Sequence, residues 1–289
     1  MIISIASGKG GTGKTTVSLN LALSLNNPQF LDCDVEEPNA HLFLKPSIVS
    51  SETVSVPVPE VDESKCTFCG KCAEVCAYHA IAVIPSGERS RGKVLVFPNL
   101  CHGCGSCGLL CPCGAIKEAP RNIGTVERGV KGGIDFIHGS LNVGEAMSVP
   151  LIRRVKEHIE SGKDVVIDAP PGTSCPMIAA VKGSDFCILV SEPTPFGLND
   201  FVLAVEVLRK LKLPFGAVIN RSDIGDSSLE DYCGKEEIPV LMRIPFSRKI
   251  AEAYSRGEIG DPVFQELRND FRGMHERIRG LSAKGGRPA

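Results

Sequence analysis

The sequence predicts an α/β fold, a doubly wound and mainly parallel sheet into which a small cysteine-rich domain is inserted. Three observations support this prediction. Short apolar runs alternate with amphipathic stretches along most of the 289 residues, as in a parallel sheet covered by helices on both faces. A glycine-rich loop joins the first run to the first helical stretch. Eight of the thirteen cysteines lie between residues 66 and 111, where the alternation stops.

The sheet is predicted from apolar runs of strand length, and the helices from amphipathic stretches between them. The predicted strands are residues 1–7, 30–35, 164–170, 185–192, 215–220 and 240–246. The clearest predicted helices are residues 15–25, 198–212, 247–257 and 264–282.

The domain boundaries follow from the same pattern. The sheet domain is predicted over residues 1–59 and 119–289, and the inserted domain over residues 60–118. The stretches "VSVPVPEVDESK" and "KEAPRNIGT" mark the two edges, and both are expected to be proline-bearing or polar connections.

Composition excludes some classes of function. A hydrophobic fraction of 43% supports a globular core, and a net charge of −2 without long basic runs makes nucleic acid an unexpected partner. No apolar run of twenty residues predicts a transmembrane segment, and no charged leader precedes the first strand, so we expect a cytoplasmic protein. Clustered, regularly spaced cysteines in such a chain favour metal binding over a disulfide framework.

A phosphate-binding loop is predicted between the first strand and the first helix. Gly8, Gly13, Lys14 and Thr15 satisfy the pattern G-x-x-x-x-G-K-[ST] in the strand–loop–helix context that it requires. Lys14 can reach the β- and γ-phosphates of ATP, and the Thr15 hydroxyl can ligate Mg²⁺. The alternative is a bare glycine turn. The predicted ATP-binding residues of the loop are Gly8, Lys9, Gly10, Gly11, Thr12, Gly13, Lys14, Thr15 and Thr16.

The loop has a second lysine, Lys9, that binding of its own nucleotide does not require. The sequence "KGGTGKT" resembles the deviant phosphate loop of the MinD/ParA/Mrp family, which includes the nitrogenase iron protein. The resemblance implies that Lys9 reaches across a dimer interface to the phosphates of ATP held by the other subunit. It therefore implies an ATP-bound homodimer, or a heterodimer with a paralogue. The alternative for Lys9 is a solvated loop lysine.

Two further segments carry the resemblance. "LDCDVEEPN" resembles the first nucleotide-responsive switch, which makes Asp34 the residue that positions the attacking water, with Asp32 a less certain neighbour. With Lys9, Lys14 and Asp168, Asp34 completes the predicted catalytic set. Asp34 and Asp168 could each instead be an N-cap or a turn residue.

"VVIDAPPGT" resembles the second nucleotide-responsive segment. The resemblance implies that Asp168 holds Mg²⁺ through water and that Gly172 offers its N–H near the γ-phosphate. Asn220 falls where family members often read the adenine edge, although a plain turn asparagine is nearly as good an interpretation.

The cysteines form two complete runs, "CTFCGKCAEVC" and "CHGCGSCGLLCP". Each has the spacing C-x₂-C-x₂-C-x₃-C of bacterial ferredoxins, in which the fourth cysteine of one run ligates the cluster of the other. Zinc bound by four cysteines is the rival interpretation. The predicted ligands are Cys66, Cys69, Cys72 and Cys111 for the first [4Fe–4S] cluster, and Cys101, Cys104, Cys107 and Cys76 for the second.

Some cysteines and neighbouring residues depart from the ferredoxin pattern. Ala77 replaces the usual proline of the first run. Cys113 is extra, and the sequence leaves its role open; a small buried side chain is the simplest alternative. Phe68 and Tyr78 could shield the clusters or simply pack. Cys175 follows Asp168 by seven residues, the offset of a cluster-ligating cysteine in the nitrogenase iron protein, but a buried structural thiol is favoured.

The resemblance and the two motifs together predict an ATPase of the MinD superfamily containing a two-cluster ferredoxin domain. The leading function is ATP hydrolysis by a dimer, coupled to electron transfer to an unidentified redox or iron–sulfur partner. One alternative is a scaffold or carrier of iron–sulfur clusters, as Mrp-type relatives are thought to be. Another is a ParA- or MinD-like positioning switch in which the clusters are sensors.

Overall fold

Strands and helices alternate along most of the chain. The computed structural model describes residues 1–85, 92–258 and 262–284. Its strands are β1 (Ile2–Ala6), β2 (Gln29–Asp32), β3 (Ser47–Val61), β4 (Ile81–Pro85), β5 (Gly92–Val96), β6 (Ile116–Lys131), β7 (Ile134–Leu141), β8 (Val165–Asp168), β9 (Phe186–Ser191), β10 (Phe215–Asn220) and β11 (Val240–Ile244). Its helices are α1 (Lys14–Ser24), α2 (Ala40–Leu44), α3 (Lys71–Val75), α4 (Ser106–Leu109), α5 (Val149–Lys156), α6 (Cys175–Val181), α7 (Pro195–Lys210), α8 (Ser228–Lys235), α9 (Arg248–Ser255) and α10 (Pro262–Lys284).

The large sheet has the strand order β11-β10-β9-β1-β8-β2-β7-β6-β3. The strands from β11 to β7 are parallel to their neighbours. From β1 the chain moves to β2, toward one edge of the sheet. From β8 it crosses β1 to β9, toward the opposite edge, so the winding direction reverses beside β1. The predicted α/β fold with a mainly parallel sheet is confirmed. Because the carboxyl ends of β1, β2 and β8 are adjacent, the loops that follow them meet at one edge of the sheet.

The core of the sheet domain is apolar on both sides of these strands. Helix α1 is buried along most of its length, as predicted for residues 15–25. Phe30 of β2 stacks on Phe136 of β7 with ring centroids 5.9 Å apart. Phe271, Met274 and Ile278 of α10 belong to the same core cluster. The amphipathic stretch predicted as the last helix therefore packs against α1 and the sheet.

Five strands, β3 to β7, were not predicted, and two of them, β3 and β6, replace the connections expected at the edges of the insertion. β3 contains "VSVPVPEV" and β6 contains "KEAPRNIGT", so the prediction of proline-bearing connections is wrong there. Proline is tolerated in β3 because this is an edge strand of the sheet, where N–H groups need no partner. β6 and β7 are joined by Gly132 and Gly133, both with positive φ, the backbone conformation of a two-residue hairpin turn.

The chain divides into two units. The first comprises residues 1–52, 126–140 and 151–289, and the second residues 53–125 and 141–150. The predicted insertion, residues 60–118, lies inside the second unit. That unit contains the antiparallel hairpin of β4 and β5, and an ion pair between Arg121 and the nearly buried Glu145. No helix among the described residues is both long enough and apolar enough to cross a membrane.

Candidate functional sites

The glycine loop between β1 and α1 leaves open space for a ligand. Gly11 and Gly13 have φ values of 78° and 93°, which L-amino acids other than glycine rarely adopt. A Cβ added to Gly10 or Gly11 would meet nothing within 4 Å, whereas one on Gly13 would lie 2.4 Å from Asn220 Nδ2. Helix α1 begins at Lys14, so its free N–H groups face the loop. The loop is therefore built to hold an anion against a helix N-terminus.

The two lysines of the loop have different surroundings. Lys14 is 6% exposed and lines a cavity of about 330 Å³ together with Gly11, Gly13 and Thr15. Lys9 does not line this cavity. Its carbonyl accepts a 2.6 Å hydrogen bond from Ser7 Oγ, and its side chain forms no ion pair or hydrogen bond with the residues that the structure describes. Of the two lysines, only Lys14 therefore lines the cavity.

Three aspartates meet at the edge of the sheet beside Lys14. Asp32 and Asp168 are paired in the register of β2 and β8. Neither carboxylate oxygen of Asp168 has a hydrogen-bond partner among the described residues, although Asp168 is only 1% exposed. A buried, unpartnered carboxylate next to a threonine hydroxyl suits a divalent cation.

Asp32 holds the loop that follows β2. Its Oδ1 accepts from the Asp34 N–H and its Oδ2 from the Ala40 N–H, both at 3.1 Å. Burial and the neighbouring Asp168 raise the pKa of Asp32. This aspartate therefore orders the segment that carries Asp34 instead of facing the cavity itself.

Asp34 is half-buried and lines the cavity. Burial raises the pKa of Asp34 to about 7, while the ammonium of Lys14 opposes the rise. Burial likewise raises the pKa of Asp168, and the nearby ammonium of Lys14 opposes the rise. Without a bound cation, the three carboxyl groups thus favour their neutral forms more than solvated carboxyl groups do.

Gly172 follows Asp168 in the second predicted segment. Its N–H donates a 2.9 Å hydrogen bond to the Ser7 carbonyl, so this N–H is engaged with the end of β1 in this structure. Gly172 has a φ of 94° and no atom within 4 Å of an added Cβ. The contact ties the segment after β8 directly to the glycine loop.

The cavity is also lined by Asn220, which the sequence predicted, and by residues that sequence reasoning missed. Asn220 Nδ2 donates a 2.9 Å hydrogen bond to the Thr12 carbonyl, and thereby holds the loop from β10. Arg221, Phe246 and Tyr254 also line the cavity, and Arg221 Nη1 lies 2.8 Å from Glu192 Oε1. Ligands of such sheets bind beyond the carboxyl ends of the strands. The position of these three residues after β10 and β11 was therefore a signal in the sequence that could have identified them.

In the second unit, the first cysteine cavity combines the two runs. The thiols of Cys66, Cys69 and Cys72 line it together with those of Cys111 and Cys113 from the other run. Phe68, which has a φ of 53°, lines the same cavity. The Phe68 N–H donates to Cys66 Sγ at 3.4 Å, and the Ala115 N–H donates to Cys111 Sγ at 3.3 Å.

The second cysteine cavity mirrors the first. Cys101, Cys104 and Cys107 line it together with Cys76 of the first run. The Gly103 N–H donates to Cys101 Sγ at 3.4 Å, and the Ala80 N–H donates to Cys76 Sγ at 3.3 Å. Each cavity thus contains three thiols of one run and the fourth of the other. Within the described residues, no three His, Cys, Asp or Glu side chains form a group that could hold a single metal ion.

The residues two positions after the fourth cysteines, Tyr78 and Cys113, differ between the two cavities. Beside the second cavity, Tyr78 stacks on His102 with ring centroids 3.6 Å apart. Beside the first, Cys113 Sγ lies 3.7 Å from Cys111 Sγ, and a hydrogen bond from the Thr67 backbone lowers the pKa of the Cys113 thiol. Cys113 is partly exposed, which does not fit the alternative of a small buried side chain. Its position faces the cavity because it follows Cys111 by only two residues.

The remaining cysteines are separate from these cavities. Cys33, Cys187 and Cys233 are buried, as expected for core residues, and burial raises the pKa of Cys187 to about 12 and that of Cys233 to about 11. Cys175 is exposed, which corrects the favoured interpretation of a buried thiol. The reason is its place as the first residue of α6, directly after the loop that contains Gly172.

Comparisons with known proteins give a family and a fold. The family model of the CobQ/CobB/MinD/ParA nucleotide binding domain matches residues 3–259. An uncharacterized protein of Methanocaldococcus jannaschii is 30% identical over 277 residues, 93% of this chain and 94% of that protein. An iron-sulfur cluster carrier protein of Pyrococcus abyssi is 24% identical over 282 residues, 90% of this chain and 78% of that protein. The septum site-determining protein MinD of Pyrococcus horikoshii, solved with Mg-ADP, has a TM-score of 0.58 and 19% identity, with 99% of both chains covered.

Proposed function

Because the chain belongs to the CobQ/CobB/MinD/ParA nucleotide-binding domain family, we propose that it is an ATPase whose ATP-dependent dimer is coupled to electron transfer. Two [4Fe–4S] clusters in a ferredoxin-like domain of the same chain, residues 60–118, carry the electrons. The ATPase domain is formed by residues 1–59 and 119–289. The observation on which the proposal chiefly rests is the pair of cysteine cavities, each lined by thiols of both runs.

The glycine loop and its cavity fit the triphosphate of ATP. The open space over Gly10 and Gly11 and the N-terminus of α1 accommodate phosphate oxygens. Lys14 supplies the positive charge inside the cavity. Asn220 and Arg221 line its far side, where the base would lie. The orphaned Asp168 carboxylate and the Thr15 hydroxyl fit Mg²⁺, which neutralises phosphate charge when bound.

Asp34 is assigned the role of positioning the attacking water. It lines the cavity, and its place in the loop is set by the hydrogen bond from its N–H to Asp32. A pKa of about 7 lets Asp34 exist as an acceptor or as a donor near neutral pH. As an acceptor, its carboxylate would orient a water molecule by taking a hydrogen bond from it.

Lys9 is assigned to the ATP of the partner subunit. It lies outside the cavity of its own chain and has no side-chain partner among the described residues. A lysine supplied in trans stabilises the negative charge that develops during phosphoryl transfer. Hydrolysis would then require the ATP-bound dimer.

The cysteine cavities fit iron–sulfur clusters through their donor set. Four thiols surround each cavity, and backbone N–H groups already donate to four of the sulfur atoms, as they do to thiolates that ligate clusters. The proposed ligands are Cys66, Cys69, Cys72 and Cys111 for cluster 1, and Cys101, Cys104, Cys107 and Cys76 for cluster 2. When bound, such clusters supply one-electron chemistry.

Iron analysis of the intact protein tests the proposal. We expect protein purified under argon to contain about eight iron and about eight sulfide ions per chain, with EPR signals of two reduced [4Fe–4S] clusters. Its ATPase rate per chain should increase with protein concentration, because hydrolysis needs the dimer. Stoichiometric zinc without sulfide would contradict the cluster assignment, and a rate independent of concentration would contradict the dimer.

The second candidate function is that of a cluster carrier. The similarity to an iron-sulfur cluster carrier protein along 90% of the chain favours it. A carrier should transfer iron and sulfide to an apo-acceptor protein faster than the same amounts of free ions assemble there. An electron-transfer protein should instead keep all its iron while it reduces an acceptor.

A further inference from the structure

The two cysteine runs continue in parallel beyond their fourth cysteines. In each run, the N–H of the alanine four residues later donates to the fourth thiol. The distances are 3.3 Å from Ala80 to Cys76 and 3.3 Å from Ala115 to Cys111. The two segments therefore occupy equivalent positions beside cluster 2 and cluster 1, and residues at the same offset can be compared directly.

The residue two positions after the fourth cysteine differs between the segments. Beside cluster 2 it is Tyr78, whose ring stacks on His102 at 3.6 Å. Beside cluster 1 it is Cys113, whose Sγ lies 3.7 Å from Cys111 Sγ. Both residues line their cavities. Only the cavity of cluster 1 therefore has a fifth thiol, and it adjoins the thiol supplied by the other run.

We propose that Cys113 is a reserve ligand of cluster 1, able to take the iron-binding position of Cys111. The inference rests on the proposed two-cluster function and concerns one ligand position of it. In the exchange, one bond from iron to the Cys111 sulfur breaks and one to the Cys113 sulfur forms. The proton released by the Cys113 thiol is taken up by the departing Cys111 thiolate, so no electrons are gained or lost.

Proximity supports the exchange. Two sulfur atoms 3.7 Å apart are nearly in van der Waals contact, so a change of ligand requires a rotation of side chains and a small backbone adjustment. Cys113 is only partly exposed and turns toward the cavity with the proposed ligands. Cluster 2 has no such thiol, because the equivalent position holds the phenol of Tyr78. The two clusters should therefore respond differently to loss of the fourth ligand.

Matched alanine variants test this difference in full-length protein purified under argon. Cys76→Ala removes the fourth ligand of cluster 2, Cys111→Ala that of cluster 1, and Cys111→Ala combined with Cys113→Ala removes the reserve as well. We expect Cys111→Ala to keep about eight iron ions per chain with a shifted EPR signal of cluster 1. Cys76→Ala and the double variant should each keep about four iron ions per chain. EPR should assign these ions to cluster 1 in Cys76→Ala and to cluster 2 in the double variant.

The outcomes separate the inference from the proposed function. If Cys111→Ala contains only about four iron ions per chain, as the double variant does, the proposal of a reserve ligand is overturned and the two-cluster function is unaffected. Iron near eight in Cys76→Ala would show that the ligand assignment itself is wrong.

A second measurement avoids the loss of Cys111. Cluster 1 of the Cys113→Ala variant should release its iron to a chelator several times faster than that of the unaltered protein, while cluster 2 should be unaffected. Equal release rates would overturn the inference.

Discussion

Replacing Asp34 by asparagine should stabilise the nucleotide-free protein, and the gain should increase as the pH rises. Burial raises the pKa of Asp34 from 3.8 to about 7, in spite of the nearby ammonium of Lys14. Between these two values the folded chain binds more protons at this site than the unfolded chain does. The contribution of Asp34 therefore makes the folded state less stable as the pH rises toward the native pKa.

The magnitude follows from the same two values. Relative to an ordinary solvated carboxylate, Asp34 should lower the free energy of unfolding by at most about 4 kcal/mol at about pH 8. At about pH 5.5 the decrease should be about 2 kcal/mol. Asparagine has no such cost, so the stability gained by Asp34→Asn should grow by about 2 kcal/mol over this range. Burial is the main cause of the raised pKa values of Asp32 and Asp168, and it is the same in both proteins. The smaller effect of the Asp34 charge on Asp32 disappears in the variant and adds to the gain.

Urea unfolding of nucleotide-free protein in Mg²⁺-free buffer, followed by circular dichroism at both pH values, measures this difference. Glu206→Gln, a change at an exposed position of α7, is the matched control and should show no pH-dependent gain. A gain from Asp34→Asn that is constant or decreases between the two pH values would refute the reasoning about its burial.

Lys9→Ala should leave the affinity for ATP within about twofold and lower hydrolysis by at least about 100-fold, since a charge supplied in trans acts on the transition state. Lys14→Ala should weaken nucleotide binding itself by about 10- to 100-fold, because a charge-assisted hydrogen bond is lost. Isothermal titration calorimetry with ATP distinguishes the Lys9 variant from the Lys14 variant. Asp168→Ala should raise the Mg²⁺ concentration needed for half-maximal hydrolysis by about tenfold or more. Lys156 Nζ donates to three carbonyls at the end of α6, at 2.6 to 3.0 Å. In urea unfolding, Lys156→Met should therefore lower the free energy of unfolding by about 1–3 kcal/mol, whereas Lys210→Met, at an exposed position, should change it very little.

The parts of the sites that depend on local spacing could be predicted from the sequence. The pattern from Gly8 to Thr15 specifies a loop between a strand and a helix, and the structure has that loop with positive φ at Gly11 and Gly13. The cysteine spacing indicated that the fourth cysteine of each run serves the cluster of the other, and the structure places each fourth cysteine in the cavity of the other run. The role of these cysteines as cluster ligands stays a prediction. Both motifs depend on a few residues that are close in sequence, which is why their placement could be predicted.

Pairing between distant segments could not be predicted in the same way. Pro57, Pro59 and Pro120 interrupt the apolar pattern of β3 and β6, so the sequence predicts connections there. β3 lies beside β6, which follows it only after the whole cysteine-rich segment, and no local pattern reports such a pairing. The pair Gly132-Gly133 before β7 was a local signal of a hairpin turn that could have corrected the reading.

Three residues that line the cavity of the glycine loop were missed for a related reason. Arg221, Phe246 and Tyr254 come from three separate segments, more than 200 residues after the loop that they face. Each is an ordinary residue in its local sequence. Only the strand order, which puts the carboxyl ends of β1, β9, β10 and β11 along one edge, brings them to the cavity.

The central claim is that the ATP site and the clusters are coupled. Redox titration of the protein with ADP and with a non-hydrolysable ATP analogue, monitored by EPR, tests it most directly. We expect a change in cluster potential between the two nucleotide states and, by linkage, the same coupling free energy in nucleotide affinity between oxidised and reduced protein, about 1–3 kcal/mol. Identical potentials and identical affinities in every state would contradict the claim.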